Sequence, residues 1–178
     1  ASTTGNMGTG FVLANPGTTL GSDTELQINA AKTTSTNKFT VYGYDTPTAL
    51  FYFSAKVRTT GSGANQFYFA IGNTTPTSNG FTDNNSWQTN ASLSIIRITY
   101  TSGSISAVNR RNAGSWTEVS SHGISKDSDQ KIEFYCNNSS AAKSYSKGTE
   151  SYSLAPKSWD LFVDDVKVSP VNGWGTAG

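Results

Sequence analysis

Ser158-Trp159-Asp160-Leu161-Phe162-Val163-Asp164-Asp165-Val166-Lys167-Val168 decides how this chain folds. Trp159, Leu161 and Val163 alternate with Asp160 and Phe162, and Val166 and Val168 alternate with Lys167. A period of two sends alternate side chains to opposite faces of a sheet. Asp164-Asp165 between the two runs predicts a tight hairpin turn, because short acidic side chains tolerate turn geometry.

The same grammar extends outward. Residues 130–136 alternate Ile132, Phe134 and Cys136 against Glu133 and Tyr135. Residues 92–101 set Leu93, Ile95 and Arg97 on one face and Ile96, Ile98 and Tyr100 on the other, and Ser102-Gly103 turns them into residues 104–109. Residues 110–114 read as the next turn, and 115–119, carrying Trp116, as the next strand, which completes a meander. Residues 66–72 place Phe67, Phe69 and Ile71 against Tyr68 and Ala70. Residues 50–58 are apolar on both faces at their start, which predicts a central position in a sheet. Residues 11–13, 25–30 and 38–44 read as further short strands, the second with Leu26 and Ile28 inward. Residues 144–154 read as a polar edge strand or loop. No segment carries an apolar period of 3.6 over three capped turns. The expectation is an all-β fold, a two-sheet antiparallel jelly-roll sandwich, over residues 10–172. Residues 1–9 read as a linker or tail and 173–178 as a C-terminal tail, with Trp174 either latched onto the sandwich or disordered.

Composition agrees. The chain has 178 residues, enough for one domain with a sizeable core, with 35% apolar and 14% charged residues. Ser, Thr, Asn and Gly fill the difference and suit a neutral, hydrogen-bonding surface. The net charge is +1, and Arg110-Arg111 is the only basic doublet, which points away from nucleic acid. No apolar run reaches membrane-spanning length, which points away from insertion into a bilayer. The single cysteine, Cys136, reads as a small buried hydrophobe in a strand.

Residues 131–139, the spacer through Tyr152-Ser153-Leu154, and residues 159–166 form one pattern. The Leu93-Ser94-Ile95, Asn109-Arg110-Arg111-Asn112 and Ser115-Trp116 segments fit it too. It resembles a concanavalin A-like (laminin G/lectin-type) β-sandwich module found in secreted, multidomain proteins of Bacteroidetes, over about residues 10–172. The resemblance implies a secreted or cell-surface location and other domains of a multidomain protein as neighbours.

Chemistry-bearing residues are sparse. Glycanases of similar architecture place carboxylates at alternate positions on one strand, facing a cleft. Here Glu25, Glu118, Glu133 and Glu150 are isolated, and His122, the only histidine, has no sequence-local partners. These residues point away from catalysis, although a small polysaccharide lyase or glycoside hydrolase stays as one alternative. A structural or adhesive spacer that binds protein stays as another. Asp127 and Asp129 on one loop are the candidates for Ca2+, with Asp164 and Asp165 at the hairpin as a second pair, for an ion that needs six to eight oxygens; no other cofactor is expected.

The remaining expectation is a non-catalytic, lectin-like module that holds a polysaccharide or glycan. Sugars offer apolar C–H faces to aromatic rings and hydroxyls to planar amides. Trp87 with Asp83, Asn84 and Asn85 has those ingredients on the loop of residues 73–91. Trp116 with Arg110, Arg111 and Asn112 has them on a neighbouring hairpin, and either Tyr68 or Tyr100 lines the face between.

Overall fold

The structure, a computed structural model, describes residues 11–14, 24–28, 39, 48–60, 63–72 and 92–176. The chain divides into two compact units, residues 1–46 with 73–91, and residues 47–72 with 92–178. In the first, β1 (Phe11–Ala14) pairs antiparallel with β2 (Glu25–Ile28), from Phe11↔Ile28 to Ala14↔Glu25. Glu25 is buried and accepts a hydrogen bond from Gln27 Nε2 at 2.6 Å, while Ile28 is exposed. That reverses the expected inward face of this strand at Ile28: the buried position goes to a carboxylate with a donor beside it.

The second unit holds two antiparallel sheets packed face to face. One runs β4 (Asn65–Gly72), β5 (Ser92–Thr101), β6 (Ser104–Asn112), β7 (Ser115–Glu118). The other is built on β3 (Leu50–Val57), β8 (Gln130–Asn137) and β11 (Ser158–Val163), in the order β3-β8-β11. The outer edge of β11 is shared by β12 (Val166–Lys167) and β13 (Trp174–Gly175). All described strands pair antiparallel, and no helix occurs among the described residues.

The turns follow from local chemistry. Asp164 and Asp165 both take positive φ, 48° and 66°, between Val163 and its partner Val166. Two left-handed central residues characterise the type I′ hairpin, whose twist matches that of the strands. Ser102-Gly103 and Ala113-Gly114 repeat it. The second of these lies later than the sequence suggests: residues 110–112 continue β6, and only 113 and 114 turn.

The core forms where the alternating faces meet. Ile96, Ile98 and Val108 from one sheet meet Ile132, Phe134, Cys136, Trp159, Leu161 and Val163 from the other. Phe134 lies 5.8 Å from Trp159, 6.2 Å from Phe53 and 6.1 Å from Phe69 of the opposite sheet, ring centre to ring centre. Each such side chain contributes about 1.5–3 kcal/mol by leaving water. Cys136 is fully buried here, and burial pushes its thiol up to about 12, so it behaves as the hydrophobe its strand position suggests.

The far face of the β3-β8-β11 sheet is covered as well. β9 (Lys143–Lys147) and β10 (Glu150–Leu154) form a hairpin over it. Tyr145 and Leu154 pack on Tyr135 and Phe162, with Leu50 and Tyr152 beside them. Tyr52, Tyr135, Tyr145 and Tyr152 follow one another at centroid spacings of 4.7, 4.0 and 5.3 Å. Asn137, fully buried, donates to the carbonyls of Ala141 and Ala155 at 2.9 Å and so ties the hairpin's two ends. Among the described strands β3 stands at the end of its sheet, beside β8. Leu50 and Tyr52 on its second face meet the tyrosines of this layer.

The C-terminal residues latch. Trp174 pairs in register with Trp159, with ring centroids 4.9 Å apart, and Trp159 Nε1 donates to the Gly175 carbonyl at 2.9 Å. Gly173 makes the approach at φ +80°, and a Cβ there would meet Leu154 Cδ2 at 2.7 Å and the Trp159 carbonyl at 2.9 Å. Gly173→Ala is therefore expected to cost about 2 kcal/mol, combining a strained φ with overpacking. Urea unfolding checks the loss, and a red-shifted Trp emission checks that the latch opens. An unchanged midpoint would show that this approach is not tight.

Candidate functional site

The outer face of the four-stranded sheet gathers the residues best suited to ligand contact. Register fixes who shares it. Tyr68 stands opposite Arg97, Arg97 opposite Asn109 and Asn109 opposite Glu118, which makes one row across β4, β5, β6 and β7. Arg111 opposite Trp116 begins the next row. Ile96, Ile98 and Val108 face the core, so these neighbours of opposite parity face away from it.

Trp116 reaches back over that row. Its ring centroid lies 6.0 Å from that of Tyr68, although their strands are first and fourth in the sheet, about 14 Å apart at normal strand spacing. The Arg97 guanidinium lies 4.2 Å from the indole centroid and that of Arg111 5.4 Å. Cation–π contacts of this kind are worth about 0.5–2 kcal/mol, and they hold the half-buried ring in one place. Arg97 Nη2 donates to Asn109 Oδ1 at 3.1 Å. Tyr68 Oη donates to Gln66 Oε1. The Nε atoms of Arg97 and Arg111 are buried without a hydrogen-bond partner, and among the described residues neither guanidinium pairs with a carboxylate.

The structure thus brings Trp116, Tyr68 and Arg111 together and adds Arg97 and Asn109, while Tyr100 lies in the core between the sheets and lines no part of this face. Arg110 goes elsewhere. It stands opposite Ile96, and its guanidinium lies 5.3 Å from the Trp174 ring, on the face turned away from Trp116. Counting back from a turn at residues 113 and 114 assigns Arg111, not Arg110, to Trp116's face; spreading the turn over 110–114 hid that parity. Trp87, Asp83, Asn84 and Asn85 lie outside the described residues.

The acidic candidates are committed to other partners. Asp129 pairs with Arg58 at 2.5 Å and Lys56 at 3.3 Å, and Asp127 pairs with Lys126. The turn acids behave alike: Asp164 accepts from Lys131 N at 2.8 Å and Gln130 Nε2 at 3.0 Å, and Asp165 pairs with Lys147 at 2.5 Å. Among the described residues no three potential metal ligands group together. His122 accepts a hydrogen bond at Nδ1 from Ile124 N at 2.9 Å, and burial lowers its pKa against the pull of Glu118, so at neutral pH it is an uncharged turn lock.

Besides Glu25 in the first unit, two described carboxylates are buried, Glu133 and Asp160, and both lie under the β9–β10 hairpin. Glu133 accepts from Lys147 Nζ at 2.5 Å and Tyr52 Oη at 2.8 Å, with Lys131 Nζ at 3.0 Å. Asp160 accepts from Tyr145 Oη and Ser169 Oγ, both at 2.5 Å, with Lys167 Nζ at 3.0 Å. Burial, then the Asp160 carboxylate, pushes the Tyr145 phenol far up. The sequence concealed both clusters, since apart from Lys131 the partners arrive from β3, β9, β12 and the chain beyond it.

No described helix is long and apolar enough to cross a membrane. Comparison with protein-family models, with curated proteins and with solved structures finds no match.

Proposed function

We propose that the chain is a non-catalytic carbohydrate-binding module, lectin-like, of a secreted or cell-surface bacterial protein, and that its sheets follow a concanavalin A-like jelly-roll order. The observation that carries the binding reading is the Trp116 ring, held over Arg97 next to Tyr68 on the outer face of the four-stranded sheet. A ring fixed before the ligand arrives loses little freedom on binding. Its apolar surface suits the C–H face of a pyranose, and Asn109, Gln66 and the two guanidinium groups supply directional partners for hydroxyls. The module's role is then to keep a polysaccharide near the domains attached to it, through raised local concentration.

Retention in gels cast with a panel of plant, algal and bacterial polysaccharides tests this. The protein is expected to be retarded by at least one. Trp116→Ala is expected to weaken that retention about tenfold or more, the equivalent of one aromatic contact of about 1.5 kcal/mol, with the melting temperature within a few degrees of the parent. Retention unchanged in Trp116→Ala would remove the platform. A parent protein that no polysaccharide retards would favour the spacer role, and release of reducing sugar or of unsaturated products would favour an enzyme. Against the last stand Glu133 and Asp160, whose oxygens are taken by lysine, tyrosine and serine beneath a hairpin.

A further inference from the structure

A second feature stands apart from the platform. Between β7 with the residues after it, the segment that follows β12, and β13, a groove of about 360 Å³ opens, lined by Thr117, Ser120, Val168, Pro170, Trp174 and Arg110 among others. Register places Arg110 opposite Ile96 and Thr117. Its Nη1 is buried and has no hydrogen-bond partner, and among the described residues no carboxylate pairs with the group. Glu118, the acid among the groove's described residues, stands opposite Asn109 instead. The guanidinium is steadied by the Trp174 ring at 5.3 Å, and that ring is itself pinned on Trp159. Burial lowers the Arg110 pKa, the direction expected of a cation that lacks a counter-charge.

We infer that this groove binds a carboxylate-bearing small molecule of monosaccharide size, with Arg110 as its anchor. A half-buried guanidinium with no counter-charge and one idle donor is costly to keep, and a carboxylate in the groove pairs with its accessible nitrogens and supplies the missing charge. Thr117 and Ser120 bring hydroxyls that donate or accept, and Trp174 brings an apolar wall. The volume is at the small end for ligand sites, which run from about 300 to 1,000 Å³, so it admits one acidic sugar or hydroxy acid rather than a length of polymer. The groove is independent of the Trp116 platform, and the inference stands or falls without it.

The test uses glucuronate and galacturonate, with glucose, galactose and inorganic sulfate as comparators, on the full chain. The uronates are expected to raise the melting temperature saturably, and the neutral sugars to leave it unchanged. Arg110→Gln is expected to weaken the effect at least tenfold, Arg110→Lys less, and Trp116→Ala not at all. Should Arg110→Gln fold poorly, assigned nitrogen-15 spectra of the parent decide. The Arg110 side chain and the Trp174 indole must move on titration while Trp116 stays. Equal response to neutral sugars, undiminished binding by a folded Arg110→Gln, or no saturable response at tens of millimolar uronate would overturn the inference. Sulfate binding as tight as the uronates would overturn the carboxylate assignment in favour of a tetrahedral oxyanion.

Discussion

Asp160→Ala is expected to destabilise the protein by about 3–5 kcal/mol, the range found when one partner of a buried ionic contact is removed. Asp160 is fully buried on β11, and three groups converge on it. Taking the carboxylate away strands the ammonium of Lys167, largely buried itself, and leaves the hydroxyls of Tyr145 and Ser169 without their acceptor. Those groups come from β9, from β12 and from the segment after it, so the loss spreads to the hairpin layer and to the chain leading to Trp174. Tyr145→Phe, which deletes one donor and leaves the stack on Tyr135, is expected to cost about 1 kcal/mol. Urea unfolding of both variants checks the pair of numbers. A loss under about 1 kcal/mol for Asp160→Ala would mean that water replaces the carboxylate without strain.

Glu133→Ala is expected to cost about 3 kcal/mol for the same reason, since Lys147, Tyr52 and Lys131 all point at a carboxylate whose side chain is 2% exposed. This site also sets an acid limit. Burial alone would raise the Glu133 pKa, but the hydrogen bonds from Lys147, Tyr52 and Lys131 outweigh it and hold the group below the usual glutamate range. With the folded pKa below the unfolded value of about 4.3, protons bind the unfolded chain more readily. The contribution is therefore complete above about pH 4.3 and disappears as pH falls through the folded value. Asp129 and Asp165, held low by their cations, act in the same direction from exposed positions. Melting temperatures are expected to be flat near neutrality and to drop below about pH 4. Glu133→Gln is expected to show a shallower drop, and an identical acid slope in that variant would assign the effect to the surface pairs.

The two-sheet architecture was legible because its signals are local. Alternation in residues 158–163 and 130–136 names the core side chains Trp159, Leu161, Val163, Ile132, Phe134 and Cys136 directly. Asp164-Asp165 and Ser102-Gly103 announce their turns. The third layer was not legible. Residues 144–154 read as a polar edge, because the hairpin buries mainly Tyr145 and Leu154 and leaves the serines and lysines between them to the solvent or to ion pairs. Its tyrosines and Lys147 became meaningful only beside Tyr135, Phe162 and Glu133. The ligand face was half legible. Trp116, Tyr68 and Arg111 meet as their types suggest, but the choice between the adjacent Arg110 and Arg111 hung on one residue of the turn, and in a strand one residue exchanges the two faces. Arg97 was set on the face opposite Ile96 and Ile98 by alternation, but alternation did not say which face is the core, and nothing in the sequence says that an indole from β7 would lie over Arg97.

The edge of β11 is closed piecemeal, by two residues of β12 at one end and two of β13 at the other. A long, straight margin of free amides and carbonyls invites a neighbouring molecule to add its own strand and begin a fibre. Here that margin is divided into short runs, with the Val168 amide on the Leu161 carbonyl and the Ser169 hydroxyl against Asp160 between them. The same few residues that seat Trp174 also keep this molecule from templating another, so opening the latch carries a risk of self-association as well as a loss of folding energy.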